Sequence, residues 1–148
     1  MLAMMSYGVA TAAVFWSEGT ETILSTLATR GNRNILIGGQ GTDTVDGTLG
    51  ENILLGGYTI YDSHPRALNA ILKEWSSNTP YATRTARIET GTGGLNSSFC
   101  LSSATAFDEN AVDSILGGSG EDWFFSRETG NRKDTVLRRK DNEKTTKL

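Results

Sequence analysis

The stretch Gly38-Gly39-Gln40-Gly41-Thr42-Asp43-Thr44-Val45-Asp46 decides how this chain reads. It fits G-G-x-G-x-D-x-U-x in full, where U is a large apolar residue. Nine residues to either side, Asn34 and Asn52 hold the polar slot, while Leu36 and Leu54 flank Val45 in the apolar one. Asn32, Gly41 and Gly50 precede the polar slots, and these types tolerate a left-handed backbone. The full pattern returns as Gly117-Gly118-Ser119-Gly120-Glu121-Asp122-Trp123-Phe124-Phe125. Its predecessor, 108–116, keeps Asp113 and Ile115 in register but lacks the glycines.

On these residues the chain resembles the hemolysin-type (RTX) calcium-binding repeat family. More narrowly, Asn34-Ile-Leu-Ile-Gly-Gly39, Asn52-Ile-Leu-Leu-Gly-Gly-Tyr-Thr-Ile-Tyr-Asp62, the segment around Glu74-Trp75, and 113–125 are similar to the C-terminal end of large planctomycete-type surface proteins. The likeness spans about residues 30–126. It implies a parallel β-roll whose turns bind Ca²⁺, in a secreted or cell-surface protein.

Strand geometry explains the spacing. Each nonapeptide is a turn plus a very short strand, and x-U-x sends one apolar side chain inward. With two units to a coil, residues eighteen apart stack on one side. Asn34 then stacks on Asn52, and Asp43 falls on the opposite side, where the positions eighteen away are Ser25 and Tyr61. Asp113 and Asp122, nine apart, also fall on opposite sides. The expected fold is therefore mainly β, a short parallel β-roll (solenoid) of glycine-rich turns with a small α-helical insert.

The turn half of each unit exposes carbonyl oxygens and one carboxylate, and Ca²⁺ takes six to eight oxygens. Glycine keeps the turn tight and open to the ion. The predicted ligands are Asp43 and Asp122 with the turn carbonyls about Gly39, Gly41, Gly118 and Gly120, followed by Asn34, Asn52 and Asp113. With so few carboxylates the affinity belongs at the weak end, roughly 10⁻⁴–10⁻³ M.

Composition agrees with a single repeat-containing domain. The 148 residues include 17 glycines but two prolines, and eight of the glycines lie in 31–57. Residues 131–148 carry a net charge of +4 and residues 1–130 a net of −7. An acidic body disfavours nucleic acid and suits cations. The basic end, with Arg138, Arg139 and Lys140, reads as a solvated, frayed tail. The one cysteine, Cys100, allows no intramolecular disulfide and reads as a buried small hydrophobe. No apolar run is long enough to span a bilayer. Met1–Trp16 is apolar without a basic start, and reads as a leader or a first strand.

Between the glycine blocks the period changes. Leu68, Ile71, Leu72 and Trp75 share one helix face, with Asp62 or Ser63 as cap and Pro65 in the first turn. Thr79-Pro80 opens a second helix with Tyr81, Thr85 and Ile88 on one face and Gly91 as its stop. These helices are expected to cover an open end or edge of the roll. His64 reads as a surface residue, and Arg84 and Arg87 as solvated charges able to pair with Glu74 or Glu89. Trp123-Phe124-Phe125 reads as a terminal coil whose aromatics close the stack.

The organisation expected is thus 1–28 as leader or degenerate first strands, 29–62 as the first block, 63–107 as helical insert and short strands, 108–126 as the second block and 127–148 as a flexible basic tail. No metalloprotease, nucleophile-elbow, phosphate-loop or dinucleotide pattern is present, so an enzyme is not expected. The expected function is calcium binding by a non-enzymatic module that sets on export. The alternatives are a metal-free structural or adhesive interaction domain and a truncated remnant of a larger surface protein.

Overall fold

The computed structural model describes residues 33–148 in full and, before them, the backbone of three strands. Ser25 and Asn32 lie outside the described residues. The strands are β1 (Ala3–Ser6), β2 (Ala12–Trp16), β3 (Thr22–Leu24), β4 (Arg33–Ile37), β5 (Thr44–Asp46), β6 (Glu51–Leu55), β7 (Tyr58–Thr59), β8 (Ala106–Phe107), β9 (Ser114–Leu116), β10 (Trp123–Ser126), β11 (Thr135–Leu137) and β12 (Lys144–Lys147). Two helices, α1 (Pro65–Trp75) and α2 (Tyr81–Thr90), lie between β7 and β8.

From β2 onward, apart from the antiparallel β7–β8 pair, successive strands alternate between two parallel sheets. One runs β2-β4-β6-β10-β12, with β1 antiparallel on β2, and the other runs β3-β5-β9-β11. Asn34 pairs with Asn52 across β4 and β6, as the eighteen-residue spacing predicts. After the insert the spacing resets. Ile53 pairs with Trp123 and Thr44 with Ser114, so the position stacked on Asp43 is Asp113 rather than Tyr61.

Between the sheets lie Leu36, Leu54 and Phe124 from one and Val45 and Ile115 from the other, all fully buried, with Val136 partly buried at their end. These are the U slots of the repeat. The other face of the larger sheet presents Ile35, Ile37, Ile53, Leu55, Trp123 and Phe125. That strand set is buried on both sides, which is why Ile35-Leu36-Ile37 and Trp123-Phe124-Phe125 are continuous apolar runs. Thr44-Val45-Asp46 in the smaller sheet buries only its middle residue.

The helices cover a sheet face, not an end or edge as expected. Leu68, Ile71, Leu72, Trp75 and Ile88 join the outer-face core. Parallel strands this apolar need a second cover, and the amphipathic α1 supplies it. Its cap is neither Asp62 nor Ser63: exposed His64 accepts the Ala67 N–H on Nδ1 at 3.1 Å. Gly91 ends α2 at φ 71° and donates to the Arg87 carbonyl. Tyr81 fixes α2 to the sheet, donating to the Asp122 carbonyl at 2.6 Å and accepting from the Lys144 N–H at 2.8 Å.

Arg84 is not solvated. It is buried, bonded to Glu51 at 2.8 Å and stacked over the Trp75 ring. Arg87 does pair with buried Glu74, at 3.3 Å. Cys100 is half-buried rather than buried.

Two further expectations are corrected at the C-terminal side. Trp123–Phe125 is an interior strand between β6 and β12, not a terminal cap. Residues 127–148 are not a frayed tail, since β11 and β12 extend both sheets by one strand each. Their polarity is compatible with this because each is the last strand of its sheet, and charged edge strands resist unwanted pairing. Among the described residues no helix is long and apolar enough to cross a membrane.

Candidate metal centre

The predicted ligands fall into two separate ladders, one for each set of turns. Asp43, Asp113 and, unforeseen, Asp134 form the first. The Asp43 N–H donates to Asp113 Oδ1 at 2.9 Å, and the Asp113 N–H to Asp134 Oδ1 at 3.0 Å. Asn34, Asn52, Asp122 and, again unforeseen, Glu143 form the second. Asn34 Nδ2 donates to Asn52 Oδ1 at 2.8 Å, the Asn52 N–H to Asp122 Oδ1 at 2.7 Å, and the Asp122 N–H to Glu143 Oε1 at 3.1 Å. Asp113, Asp134, Asp122 and Glu143 therefore each satisfy a backbone donor that the turn leaves over.

The second ladder is closed by the protein's own groups. Asp122 Oδ1 also accepts from Asn52 Nδ2, and Oδ2 from the Gly118 N–H at 2.9 Å. The Gly118 and Gly120 carbonyls, predicted to face an ion, each accept from Lys140 Nζ at 2.7 Å. The same ammonium reaches Glu143 Oε1 at 2.7 Å. A tethered cation thus occupies the carbonyl pocket of this turn. Asp122 is pushed up to about 6 by burial, with the Glu143 charge adding to the effect.

The first ladder carries more negative charge. Glu109 and Asp108, at the return end of the insert, join Asp43, Asp113 and Asp134. Ligand oxygens of Asp43, Glu109 and Asp113 lie within 4.8 Å of one another, as do those of Asp108, Asp113 and Asp134. Asp113 is 1 % exposed, and its Oδ2 is buried without a hydrogen-bond partner. Both carboxylate oxygens of Glu109 are in the same condition. Burial, helped by the Asp113 charge, pushes Glu109 up to about 7; burial pushes Asp113 up to about 6, and Asp134 and Asp43 add to that. Arg127 sets its guanidinium 3.1 Å from Asp108 Oδ2, and the Arg127 backbone N–H donates to Asp134 Oδ2.

Glycine shapes this site by close approach. A Cβ on Gly56 would stand 2.6 Å from Asp113 Oδ2, and one on Gly57 would meet the Phe107 carbonyl at 2.0 Å and Glu109 Oε2 at 2.9 Å. Gly39 and Gly41 build the stacked turn with φ of 94° and 106°, and the Gly39 N–H donates to the Gly57 carbonyl at 2.9 Å.

Sequence reasoning placed Asp43 and Asp113 among the ligands but not next to each other, and it assigned no role to Asp108 or Glu109. The signal for Asp134 was present: Asp134-Thr-Val-Leu137 repeats Asp113-Ser-Ile-Leu116. Its spacing of 21 hid it from a nine-residue search.

The protein is thus a mixed fold of parallel sheets with two short helices and an acidic cluster able to take a metal ion. No protein-family model, curated protein or solved structure matches the chain.

Proposed function

We propose that this chain is a parallel β-roll module of the hemolysin-type repeat class, secreted or displayed at a cell surface, whose folded state is stabilised by calcium. The observation that carries the reading is the convergence of Asp43, Asp108, Glu109, Asp113 and Asp134 where two glycine turns stack, against which Arg127 sets a single guanidinium. Hard oxygen ligands in an irregular, crowded arrangement suit Ca²⁺ better than Mg²⁺, which demands near-octahedral geometry and keeps its waters. Strands alternating between two parallel sheets, with the U-slot residues as the core between them, support the roll.

The work done is folding linkage. Calcium binds the assembled ladder and not the unfolded chain, so stability rises as RT ln(1 + [Ca²⁺]/Kd). At tenfold excess over Kd that is about 1.4 kcal/mol, or a midpoint rise of about 3–6 °C for a domain of this size. The module acts by binding, and no catalytic role is assigned to its carboxylates.

A metal-free structural or adhesive domain is the second reading, favoured by Lys140, which fills its turn without any ion. Thermal melting in millimolar calcium, in magnesium and in chelator separates the two. A calcium-specific rise supports the first reading, and superimposable melts support the second.

A further inference from the structure

We infer that Asp43, Glu109 and Asp113 hold one divalent cation, and that this ion clamps the return end of the helical insert onto the stacked turns. The inference deepens the calcium reading and rests on it only for the choice of metal. Glu109 fills a slot that the nonapeptide pattern gives to glycine, in the unit 108–116 that lacks its glycines: it lies in the segment that brings the chain back from α2, just after β8. It meets two residues that occupy repeat slots, Asp43 and Asp113, from the turns before β5 and β9.

Three features point to an ion rather than to a chance gathering of acids. The three ligand oxygens lie within 4.8 Å of one another, which suits oxygens 2.3–2.6 Å from a common centre. Asp113 Oδ2 and both Glu109 oxygens are buried with no hydrogen-bond partner, so these acceptors lack the donors that a buried carboxylate requires. The backbone beside them is glycine at 56 and 57, where a Cβ would intrude on Asp113 Oδ2 and Glu109 Oε2 respectively. The nearby guanidinium of Arg127 is engaged elsewhere, on Asp108 and Asn110.

An ion here has a structural consequence that a turn-bound ion would lack. The insert returns to the sheets through the two-residue β7–β8 pair, Tyr58 on Phe107 and Thr59 on Ala106. A pair that short holds weakly alone. Ligation of Glu109, two residues past Phe107, adds a second attachment at the same place.

The test uses the full chain, wild type and Glu109→Gln, with calcium, magnesium, manganese and chelator. Gln removes a buried charge, so the variant is expected to fold at least as well without metal. Calorimetry on wild type should give one site, with calcium affinity falling tenfold or more in Glu109→Gln. Hydrogen exchange should show calcium-dependent protection of the amides of residues 106–112 in wild type and none in the variant. An equal calcium-induced midpoint rise in both proteins overturns this site and leaves the calcium reading standing. Failure of calcium with success of manganese or magnesium overturns the calcium reading and keeps the site. No response to any of the three metals overturns both.

Discussion

The backbone N–H of Asn52 donates to Asp122 Oδ1 at 2.7 Å, although the two residues stand 70 positions apart. The same separation divides Asp43 from Asp113 on the other ladder. One offset shared by both sheets means the chain leaves the stack once and returns in register. The β7–β8 pair closes that excursion, so the strands on either side pair as if it were not there.

Asp122→Ala should be the costliest change in the second ladder. It strips the acceptor from the Asn52 and Gly118 N–H groups and from Asn52 Nδ2. Buried donors left unpaired cost about 1–3 kcal/mol each, so a loss of about 3 kcal/mol is expected in urea unfolding. Asp122→Asn keeps the shape and one acceptor oxygen, and should lose about half as much. Equal losses for the two variants would show that packing, rather than hydrogen bonding, holds the ladder.

Lys140→Met should lower stability in chelator by about 1 kcal/mol, because the ammonium is partly exposed while two of its three partners are neutral carbonyls. Lys140→Arg should not restore it. A planar guanidinium cannot point three donors at Gly118, Gly120 and Glu143 as a compact ammonium does. Urea midpoints of the three proteins check this, and wild-type stability in the arginine variant would refute the geometry.

Asp122 should titrate near pH 6 in a carboxyl-carbon NMR titration, with calcium or with chelator alike, because it sits on the ladder that Lys140 closes. Its folded pKa is raised above the ordinary 3.8 by burial. The folded state therefore binds its proton more tightly than the unfolded chain does. That contribution to stability is full below about pH 3.8 and is lost as pH rises through about 6. A midpoint near 4 would contradict the desolvated ladder.

Phe124→Ala tests whether the two sheets share one core. Phe124 is fully buried with Leu36, Val45, Leu54 and Ile115, so its truncation should cost about 3–5 kcal/mol. Val136 lies partly buried at the end of the same row, where the core meets solvent. Val136→Ala should cost about 1 kcal/mol or less. Comparable losses at the two positions would mean that the end of this core is packed as tightly as its middle.

Much of the fold was legible from position-by-position chemistry. Leu36, Val45, Leu54, Ile115 and Phe124 were marked as the inward slots by the repeat, and they form the core between the sheets. The helix faces about Leu68–Trp75 and Ile88 were legible too, since an apolar stripe at helical spacing is a local property. The candidate site was half legible. Asp43 and Asp113 carried the right residue type in the right slot, but nothing local showed that they would be neighbours.

The sequence by itself determined the short-range grammar: glycine where the turn allows no Cβ, one apolar residue to each strand facing inward, a carboxylate or amide to hold the turn's spare N–H. Those features depend on a few adjacent dihedrals and on side-chain size, and a nine-residue window contains them. Only the tertiary structure decided which strand lies against which. Stacking is set by backbone bonds between strands distant in the chain, and an insert of any length that closes on itself leaves those bonds unchanged. That is why Asp113 rather than Tyr61 stands beside Asp43, why Glu109 meets them from a slot the repeat gives to glycine, and why 127–148 adds a last strand to each sheet. There the ladder steps lengthen to 21 residues, and in the second ladder Glu143 takes the place of an aspartate.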